Sequence, residues 1–508
     1  MAAGFWRAVV FAVLLPGIGL AQDVTLTSRD GSLAISGTLR AYDGEFFRIE
    51  SKYGQLTVDA QGVICDGPAC PDLTAPKAII RLVGESDAGT ALLQPILQAF
   101  AQSRGLVYAA PDSPKGSAIL TDPATGKVLA EITFLPMPPD QARAALKAGQ
   151  ADIIVSSETT AEFGARALAL DALIPIVAPD NPLPGISTVD LARALTGEVT
   201  NWAQVGGPDM PLVLHGLQPG SDLQQALSAR LGREIAASIA HANLADLSAA
   251  VVKDPWALAV TGRASAGDAR VLALSDSCGF PLLPTKLAVK AQDYPLTLPI
   301  YLLTPRRRLP LMARELLEFL ALPAAQAAVA EAGYIDRAPE RQPMTADGLR
   351  LINAIQGAGD ETTLADLQRL VDLMDGADRV SLTFRFEDGA DQMDAASREN
   401  LVDLARLLEV GAFQGQALYL AGFSDGSGAA ATNLALSQFR AATVLKALKI
   451  AAPSVPVDQL PTIVAFGEAL PMACDETGPG RRLNRRVELW LKPAFGASPA
   501  APTDTPLP

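Results

Sequence analysis

The sequence predicts a chain of three folded units: a small all-β barrel, an α/β unit in two lobes and a compact α+β sandwich. Its 508 residues are enough for about three domains, and the 49% of apolar residues can supply a core for each. The apolar pattern alternates every second residue near the start, whereas strand and helix patterns follow one another later in the chain. These three observations exclude a single small module and a wholly disordered chain.

The composition also excludes several classes of function. The chain carries a formal net charge of −14 and would repel the negatively charged phosphate backbone of a nucleic acid. We therefore expect no nucleic-acid partner. With only His215 and His241 and four scattered cysteines, the chain offers few ligands for a metal such as zinc. It lacks the phosphate-binding and nucleophile motifs of the common enzyme classes, so we expect neither an enzyme nor a cofactor.

Residues 1–21 have the pattern of a secretory signal peptide. Arg7 closes a short positive segment, and the apolar stretch up to Leu20 is too short to span a bilayer. Small residues precede a cleavage point after Ala21. The alternative is an uncleaved anchor.

The four cysteines would meet oxidising conditions after export. Cys65 and Cys70 flank a turn-rich loop whose ends can lie within bridging distance, so we predict a disulfide between them. Cys278 and Cys474 lie far apart in the sequence. An interdomain bridge is open to them, but two unpaired thiols are the stronger expectation.

Residues 22–76 form the first predicted unit. Short alternating apolar runs, separated by Asp-Gly and Tyr-Gly turns, are typical of a meander of about five strands. Such a meander closes best as a small barrel, and it resembles the SH3-like and Sm-like barrels. The unit is either a docking module for a partner or a structural lid on the domain that follows.

Residues 77–338 form the second predicted unit. A buried strand from Ile79 leads through a polar loop into an amphipathic helix over 90–103, and the same order recurs after Ala151 and Leu212. Such units favour a largely parallel sheet in two lobes, with backbone amides at a helix start where anions bind.

The string G-x-x-x-N-W-x-x-V-G-G at 197–207, after the apolar stretch at 168–183, resembles the phosphate-type substrate-binding proteins of ABC transporters. The resemblance covers residues 78–337. It implies a periplasmic-binding-protein fold in which two lobes close around a ligand.

The same resemblance implies an altered ligand site. In the family, hydroxyls and amides from three loops hold a phosphate together with an arginine and an aspartate. The matching positions here are Ser86, Ser156, Ser157, His215, Gly220 and Ser221. Because Ser157 replaces the aspartate and a largely neutral His215 replaces the arginine, we expect weak phosphate binding at most. Either the serines hold another small anion or a sugar acid, or the cleft is vestigial and the domain is an interaction surface.

Residues 339–378 are predicted to be a linker with one or two short helices. Residues 379–493 form the third unit, in which strands at 380–384, 417–423 and 487–491 alternate with helices at 395–408 and 432–449. The Ala-, Pro- and Thr-rich residues 494–508 are predicted to be a disordered tail.

Two motifs in the third unit resemble the OmpA-like peptidoglycan-binding domain. The first is G-F-S-D-G-S-G at 422–428, continued by Asn433, Leu436-Ser437 and Arg440-Ala441. The second is G-R-R-L-N-R-R-V-E at 480–488. Phe423 and Ser424 replace the usual His and Thr. The resemblance implies a compact sandwich that binds the diaminopimelate stem peptide of peptidoglycan.

That ligand carries an ammonium group and carboxylates, so its site needs one fixed anion and one fixed cation. The residues that match the family's site are Asp425, Asn433, Arg440 and Arg485. A structural ion pair is the alternative for Asp425 and Arg440. Surface ion pairs are the alternative for Arg485 and Arg486.

Taken together, these patterns predict a non-enzymatic protein of a Gram-negative periplasm, associated with the cell wall or outer membrane. It would anchor to peptidoglycan through residues 379–493 and present the binding-protein-like domain. The alternative is a receptor for phosphate or another small anion in an ABC-type uptake system.

Overall fold

The structure is a computed structural model that describes residues 24–493 except 30, 43, 71–76, 112–115, 357, 359–360 and 388–391, with the backbone alone at 347 and 349. The predicted signal peptide (1–21) and the predicted tail (494–508) lie outside the described residues. Every described helix is either too short or too polar to cross a membrane.

The N-terminal unit is an open antiparallel sheet, so the prediction of a closed barrel is not borne out. Its strands are β1 (Val24–Ser28), β2 (Ala34–Tyr42), β3 (Phe46–Ser51), β4 (Gly54–Asp59) and β5 (Val63–Asp66). They pair in the order β4-β3-β2-β1-β5. A 3₁₀ turn at Ala60–Gly62 connects β4 to β5, and β5 pairs with β1. Since the described parts of β4 and β5 do not pair with each other, they are the two edge strands of the sheet.

The central unit is built on an eleven-stranded sheet that continues through two lobes. Strands of the first lobe are β6 (Ala78–Gly84), β7 (Val107–Ala109), β8 (Ala118–Thr121), β9 (Val128–Pro136) and β10 (Ile153–Ser156). Two strands cross between the lobes, β11 (Gly164–Val177) and β19 (Thr297–Thr304). They pair antiparallel with each other, and β19 also pairs with β10 of the first lobe.

The second lobe continues the sheet from β11. Its strands are β13 (Val213–Leu217), β14 (Ile239–His241), β15 (Ala257–Gly262) and β16 (Arg270–Val271). A small separate sheet is formed by β12 (Gly185–Ser187), β17 (Ala273–Ser275) and β18 (Pro281–Leu282). The two-lobed α/β architecture predicted from the strand–loop–helix units is confirmed.

Helices cover the central sheet: α1 (Ser86–Ser103), α2 (Pro139–Lys147), α3 (Thr188–Leu195), α4 (Asp222–Leu231), α5 (Leu244–Lys253), α6 (Lys286–Lys290), α7 (Leu311–Phe319) and α8 (Pro323–Glu331). Helix α1 buries Leu92, Leu93, Ile96, Leu97 and Phe100, the apolar face read from the sequence. Both α1 and α4 begin at the junction of the lobes, so their first turns define the cleft.

The C-terminal unit is a five-stranded sheet with helices on both faces. Its strands are β20 (Arg341–Pro343), β21 (Asp378–Arg385), β22 (Gln416–Phe423), β23 (Thr462–Ala465) and β24 (Arg486–Pro493), in the order β20-β21-β24-β22-β23. Its helices are α9 (Gly348–Gln356), α10 (Leu364–Met374), α11 (Ala395–Glu409), α12 (Ala430–Ala451) and α13 (Gly478–Asn484).

The segment predicted to be a linker is packed into the C-terminal unit. Strand β20 pairs with β21, and Leu370 and Met374 of α10 are buried against Phe423, Phe466 and Trp490. Helices α11 and α12 cover the opposite face of the sheet. Burial of these apolar side chains explains why the segment packs against the sheet and does not remain a separate linker.

Both cysteine pairs are disulfide-bonded. Cys65–Cys70 confirms the prediction. Cys278 and Cys474, expected as unpaired thiols, form a bridge between the second lobe and the C-terminal unit. The fold brings the β17–β18 turn to the loop before α13, where the Asp276 carboxylate accepts hydrogen bonds from the Cys278 and Cys474 amides at 3.0 and 2.7 Å. Their separation of 196 residues hid this contact.

Candidate functional site

The predicted wall-binding residues meet at one edge of the C-terminal sheet. Strand β24 runs antiparallel to both β21 and β22, so the last residues of β21 and β22 lie at the same edge. There, Arg385, Arg486 and Phe423 form one row across the three strands. Asp425 lies in the loop that follows Phe423 at the end of β22, and Arg485 directly precedes Arg486 at the start of β24.

Asp425 and Arg485 form an ion pair at this edge. Arg485 Nη1 lies 3.0 Å from Asp425 Oδ2, and the two side chains are 22% and 13% exposed. The Ser427 amide donates to Asp425 Oδ1 at 3.1 Å. Burial alone would raise the pKa of Asp425, but the hydrogen bonds from Arg485 and Ser427 outweigh it and lower the pKa. The carboxylate is therefore an anion at neutral pH.

Arg440 brings a second guanidinium to the same edge from α12. Its guanidinium carbon lies 6.0 Å from the ring centroid of Phe386, the residue that follows β21. Helix α12 packs closely on β22 because Gly422 has no side chain, and a Cβ there would lie 2.1 Å from the Ser437 carbonyl oxygen. The edge thus combines the Asp425 carboxylate with the guanidinium groups of Arg440 and Arg485.

Asn433 is buried and engaged inside the protein. Its Nδ2 donates to Glu468 Oε2 at 2.7 Å, and four residues later Ser437 Oγ accepts a hydrogen bond from the Gly467 amide at 3.1 Å. Together they fasten the loop after β23 to α12. These contacts support the site, and a direct contact of Asn433 with ligand stays a prediction.

Arg486 lies inside the fold, so the surface ion pair considered for it is wrong. It is fully buried, its Nε lies 2.7 Å from Glu488 Oε1, and its guanidinium stacks on Phe423. Burial would raise the pKa of Glu488, but the charges of Arg350, Arg379 and Arg486 hold that pKa well below its usual value. Burial in turn lowers the pKa of Arg486 to about 10.

Asp475 stabilises the loop that carries Asp425 through hydrogen bonds. The sequence analysis did not identify it as a residue of the site. Its Oδ2 accepts from the Gly426 amide at 2.8 Å, and its Oδ1 accepts from Asn484 Nδ2 at 2.7 Å. Asn484 Oδ1 in turn accepts from the amides of Met472 and Ala473. The Gly426–Asp475 contact spans 49 residues, so no local spacing could have indicated it.

In the central unit, the helix start predicted to bind an anion is occupied by a carboxylate of the other lobe. The Ser86 amide, first in α1, donates to Asp222 Oδ2 at 3.0 Å, and Asp222 is the first residue of α4. The buried Glu85 carboxylate accepts from the Ser157 amide. Burial and the neighbouring charge of Asp222 raise the pKa of Glu85 to about 7, and burial raises that of Asp222 to about 6.

Ser156 and His215 make local polar contacts, whereas the buried Ser221 Oγ has no hydrogen-bond partner among the described residues. Ser156 Oγ donates to the Glu158 carbonyl oxygen at 3.0 Å. Gly220 adopts φ +94° in the turn before Ser221, which precedes α4. His215 is buried, with Nδ1 3.1 Å from His241 Nε2 and Nε2 3.5 Å from Asp254 Oδ2.

Burial and the charge of His241 lower the pKa of His215, against the opposing effect of Asp254. The structure thus joins Ser86 and Ser157 to the acids Glu85 and Asp222, while His215 contacts His241. The sequence analysis did not identify Glu85 and Asp222 as cleft residues. Each lies at the start of a helix, where the helix dipole favours a negatively charged side chain, and this was the signal that could have identified them.

Comparisons with known proteins match the central unit and the C-terminal unit to two different families. Residues 120–323 match the model of a PBP superfamily domain, and residues 385–485 match that of the OmpA family. A stretch of 50 residues is 48% identical to the phosphate-binding protein PstS of Borreliella burgdorferi. This stretch is 9% of the chain and spans only 18% of that relative.

Solved structures similar to the chain include phosphate-transport proteins. An ABC-type phosphate transport receptor from Vibrio cholerae is 17% identical with a TM-score of 0.41, covering 50% of this chain and 99% of the receptor. PstS from Borrelia burgdorferi is 18% identical with a TM-score of 0.37, covering 51% and 98%. Both resemblances inferred from the motifs are confirmed by the family matches: the chain carries a PBP superfamily domain followed by a C-terminal OmpA family domain.

Proposed function

We propose that this chain is a non-enzymatic protein of the cell envelope that binds peptidoglycan through the Asp425 edge and holds its PBP superfamily domain beside the wall. The observation that carries the proposal is the joint presence of Asp425, Arg440 and Arg485 at one sheet edge within the OmpA family match. The PBP superfamily and the OmpA family are typically non-enzymatic, which supports a binding role.

The charges of the edge suit a diaminopimelate stem peptide. The Asp425 carboxylate would receive the ligand's ammonium group, and the guanidinium groups of Arg440 and Arg485 would receive its carboxylates. In the free chain Arg485 is paired with Asp425. A bound ammonium group would replace that partner and leave Arg485 to a ligand carboxylate.

An OmpA family domain suggests a location in the cell envelope. We place the protein in the periplasm, associated with the wall or the outer membrane. This placement also rests on the signal-peptide pattern of residues 1–21.

A receptor for a small anion is the second candidate, favoured by the segment shared with PstS. The cleft chemistry opposes it, because Asp222 already accepts the Ser86 amide and the buried Glu85 lies beside it. An incoming phosphate would have to displace the Asp222 carboxylate from the Ser86 amide. We therefore favour a central domain that serves as an interaction surface.

Co-sedimentation of the full chain with purified sacculi tests the proposal. We expect Asp425→Asn and Arg440→Gln each to weaken binding at least tenfold, because each removes one charge of the site. Matched controls are Asp458→Asn, which precedes β23 at the opposite edge of the sheet, and Lys449→Gln near the end of α12. Unchanged binding by both site variants would contradict the assignment.

A further inference from the structure

The C-terminal unit packs against the connection between the two lobes of the central unit. Strands β11 and β19 make this connection, and a β-bulge interrupts their pairing between Ala167 and Ala169. A small cavity of about 20 Å³ at this point is lined by Ala167 and Tyr301 of the two strands and by Ala396 and Asn400 of α11. A bulge bends its strand and disrupts the regular pairing. The C-terminal unit therefore covers the irregular point of the connection.

A disulfide and a cluster of buried charges attach the C-terminal unit on the side of the second lobe. Cys278, in the turn between β17 and β18, is bonded to Cys474. The Asp293 carboxylate, in the segment that leads from α6 into β19, lies 2.7 Å from Arg379 Nη2 and 2.9 Å from Arg385 Nη2. The side chains of this cluster are at most 6% exposed, so solvent ions screen their attraction little.

The turn at 291–293 is shaped around Arg385. The Ala291 carbonyl oxygen accepts a hydrogen bond from Arg385 Nη1 at 2.6 Å, and the Asp293 carboxylate accepts one from Nη2 of the same guanidinium. Between them, Gln292 has φ +57°, the one positive value at a non-glycine residue in the described part of the chain. Such a conformation is uncommon and persists where the surrounding contacts enforce it. We therefore attribute the shape of this turn to its contacts with the C-terminal unit.

Helix α11 attaches the C-terminal unit on the side of the first lobe. Helix α8 packs against α1 of that lobe, and Gln326 of α8 accepts a hydrogen bond from the Arg337 amide at 2.6 Å. The Arg337 guanidinium contacts two acids of α11: Nη2 lies 2.8 Å from Asp403 Oδ2, and Nη1 lies 3.4 Å from Glu399 Oε2. The C-terminal unit is thus attached to both lobes and to the strands between them.

At the cleft, the lobes are joined by the hydrogen bond from the Ser86 amide to Asp222. Water can replace a single hydrogen bond of this kind at a small net cost. The contacts of the C-terminal unit restrain the lobes more strongly. A change in the angle between the lobes would have to break the Arg337 pairs on one side, or act against the Cys278–Cys474 bridge and the Asp293 cluster on the other.

We propose that the C-terminal unit holds the two lobes at one fixed separation, so that the central domain does not open and close about β11 and β19. Hinge motion requires the connecting segments to change their backbone dihedral angles. Here a packed sheet with its helices covers those strands and is fastened on both sides. The inference concerns the two lobes alone, so it does not depend on peptidoglycan binding at the Asp425 edge.

Double electron–electron resonance on the full chain can measure the distance between the lobes. Nitroxide labels at Gln98→Cys in α1 and Ala249→Cys in α5 would report on the first and second lobe, and both positions are exposed. The native cysteines are disulfide-bonded, so the added thiols are the ones that react. We expect a single narrow distance peak. The same peak is expected in Asp222→Ala, which removes the hydrogen bond at the cleft and keeps every contact of the C-terminal unit.

Two released variants, both built on Asp222→Ala, remove the attachments from opposite sides of the C-terminal unit. One adds Arg337→Gln, and the other adds Cys278→Ser, Cys474→Ser and Asp293→Asn. We expect a second distance peak in each, because the lobes can then change their separation.

The matched control adds Arg193→Gln to Asp222→Ala. It removes an exposed ion pair with Asp190 and should keep the single peak. Two peaks in Asp222→Ala alone would overturn the proposal, because the lobes would then move despite the C-terminal unit. An unchanged single peak in every released variant that folds would also overturn it. Since the two released variants change different contacts, misfolding of one leaves the other to decide.

Discussion

Acidic residues of the same type behave in opposite ways at different places in this fold. Arg485 and Ser427 lower the pKa of Asp425, and surrounding arginines lower that of Glu488. At the central cleft, burial and Asp222 raise the pKa of Glu85 to about 7. Because of their different surroundings, the Asp425 carboxylate can receive a cation, whereas the Glu85 carboxyl group tends to hold a proton.

The raised pKa of Glu85 predicts a stability that decreases with pH. The unfolded value is 4.5 and the folded value is about 7, so the folded chain holds the proton more tightly. The resulting stabilisation is complete below pH 4.5 and is lost as the pH rises through about 7. Thermal melts of the full chain between pH 5 and pH 8 should show a falling melting temperature.

Glu85→Gln should flatten this decline, because glutamine does not titrate. Asp222 contributes in the same direction up to about pH 6, so part of the slope should remain. Glu131→Gln, which removes a half-exposed partner of Lys77, is the matched control and should keep the full slope. An unchanged slope in Glu85→Gln would show that this carboxyl group does not control the stability of the cleft.

At the scale of elements, the sequence correctly predicted strands and helices whose apolar residues recur at a regular spacing. The strand expected at 417–423 is Gln416–Phe423, the helix expected at 395–408 is Ala395–Glu409, and the helix expected at 432–449 is Ala430–Ala451. Barrel closure was not predictable in this way, because it depends on whether the edge strands β4 and β5 pair. The Asp222–Ser86 contact spans 136 residues and was equally out of reach.

The close approach of α12 to β22 can be tested at Gly422. In Gly422→Ala the new Cβ would meet the Ser437 carbonyl oxygen at 2.1 Å, so the helix has to move away. We expect a stability loss of about 1–3 kcal/mol or more, and weaker binding to sacculi as Arg440 shifts with the helix. Gly478→Ala, where a Cβ meets nothing within 4 Å, should be neutral in urea unfolding and in sedimentation. Equal behaviour of the two variants would contradict the packing argument.

At the scale of the whole molecule, the units are fastened together. The Cys278–Cys474 bridge joins the second lobe to the C-terminal unit, and Asp293 of the central unit pairs with Arg379 at 2.7 Å and Arg385 at 2.9 Å. Motifs in the sequence identified the two families but carried no information on this docking. Its contacts join distant residues: the Cys278–Cys474 bridge spans 196 positions and the Arg385–Asp293 pair spans 92.

Removal of the bridge together with the ion pairs should release the domains. We expect the variant Cys278→Ser, Cys474→Ser, Asp293→Asn to show a larger radius of gyration by small-angle scattering and faster proteolysis between the units. The control Cys65→Ser, Cys70→Ser removes a disulfide within the N-terminal unit and should leave the arrangement of the other two unchanged. A compact, protease-resistant triple variant would show that the remaining contacts between the units, which include the ion pairs of Arg337 with Glu399 and Asp403, are enough to hold them together.

The most direct test of peptidoglycan recognition is calorimetric titration of the full chain with two stem peptides that differ only in the third residue. The diaminopimelate peptide offers an ammonium group and an extra carboxylate, whereas the lysine peptide lacks that carboxylate. We predict tighter binding of the diaminopimelate peptide, with at least tenfold loss in Asp425→Asn and little change in Asp458→Asn. Equal affinity for the two peptides, or undiminished binding by Asp425→Asn, would contradict recognition of diaminopimelate at the Asp425 edge.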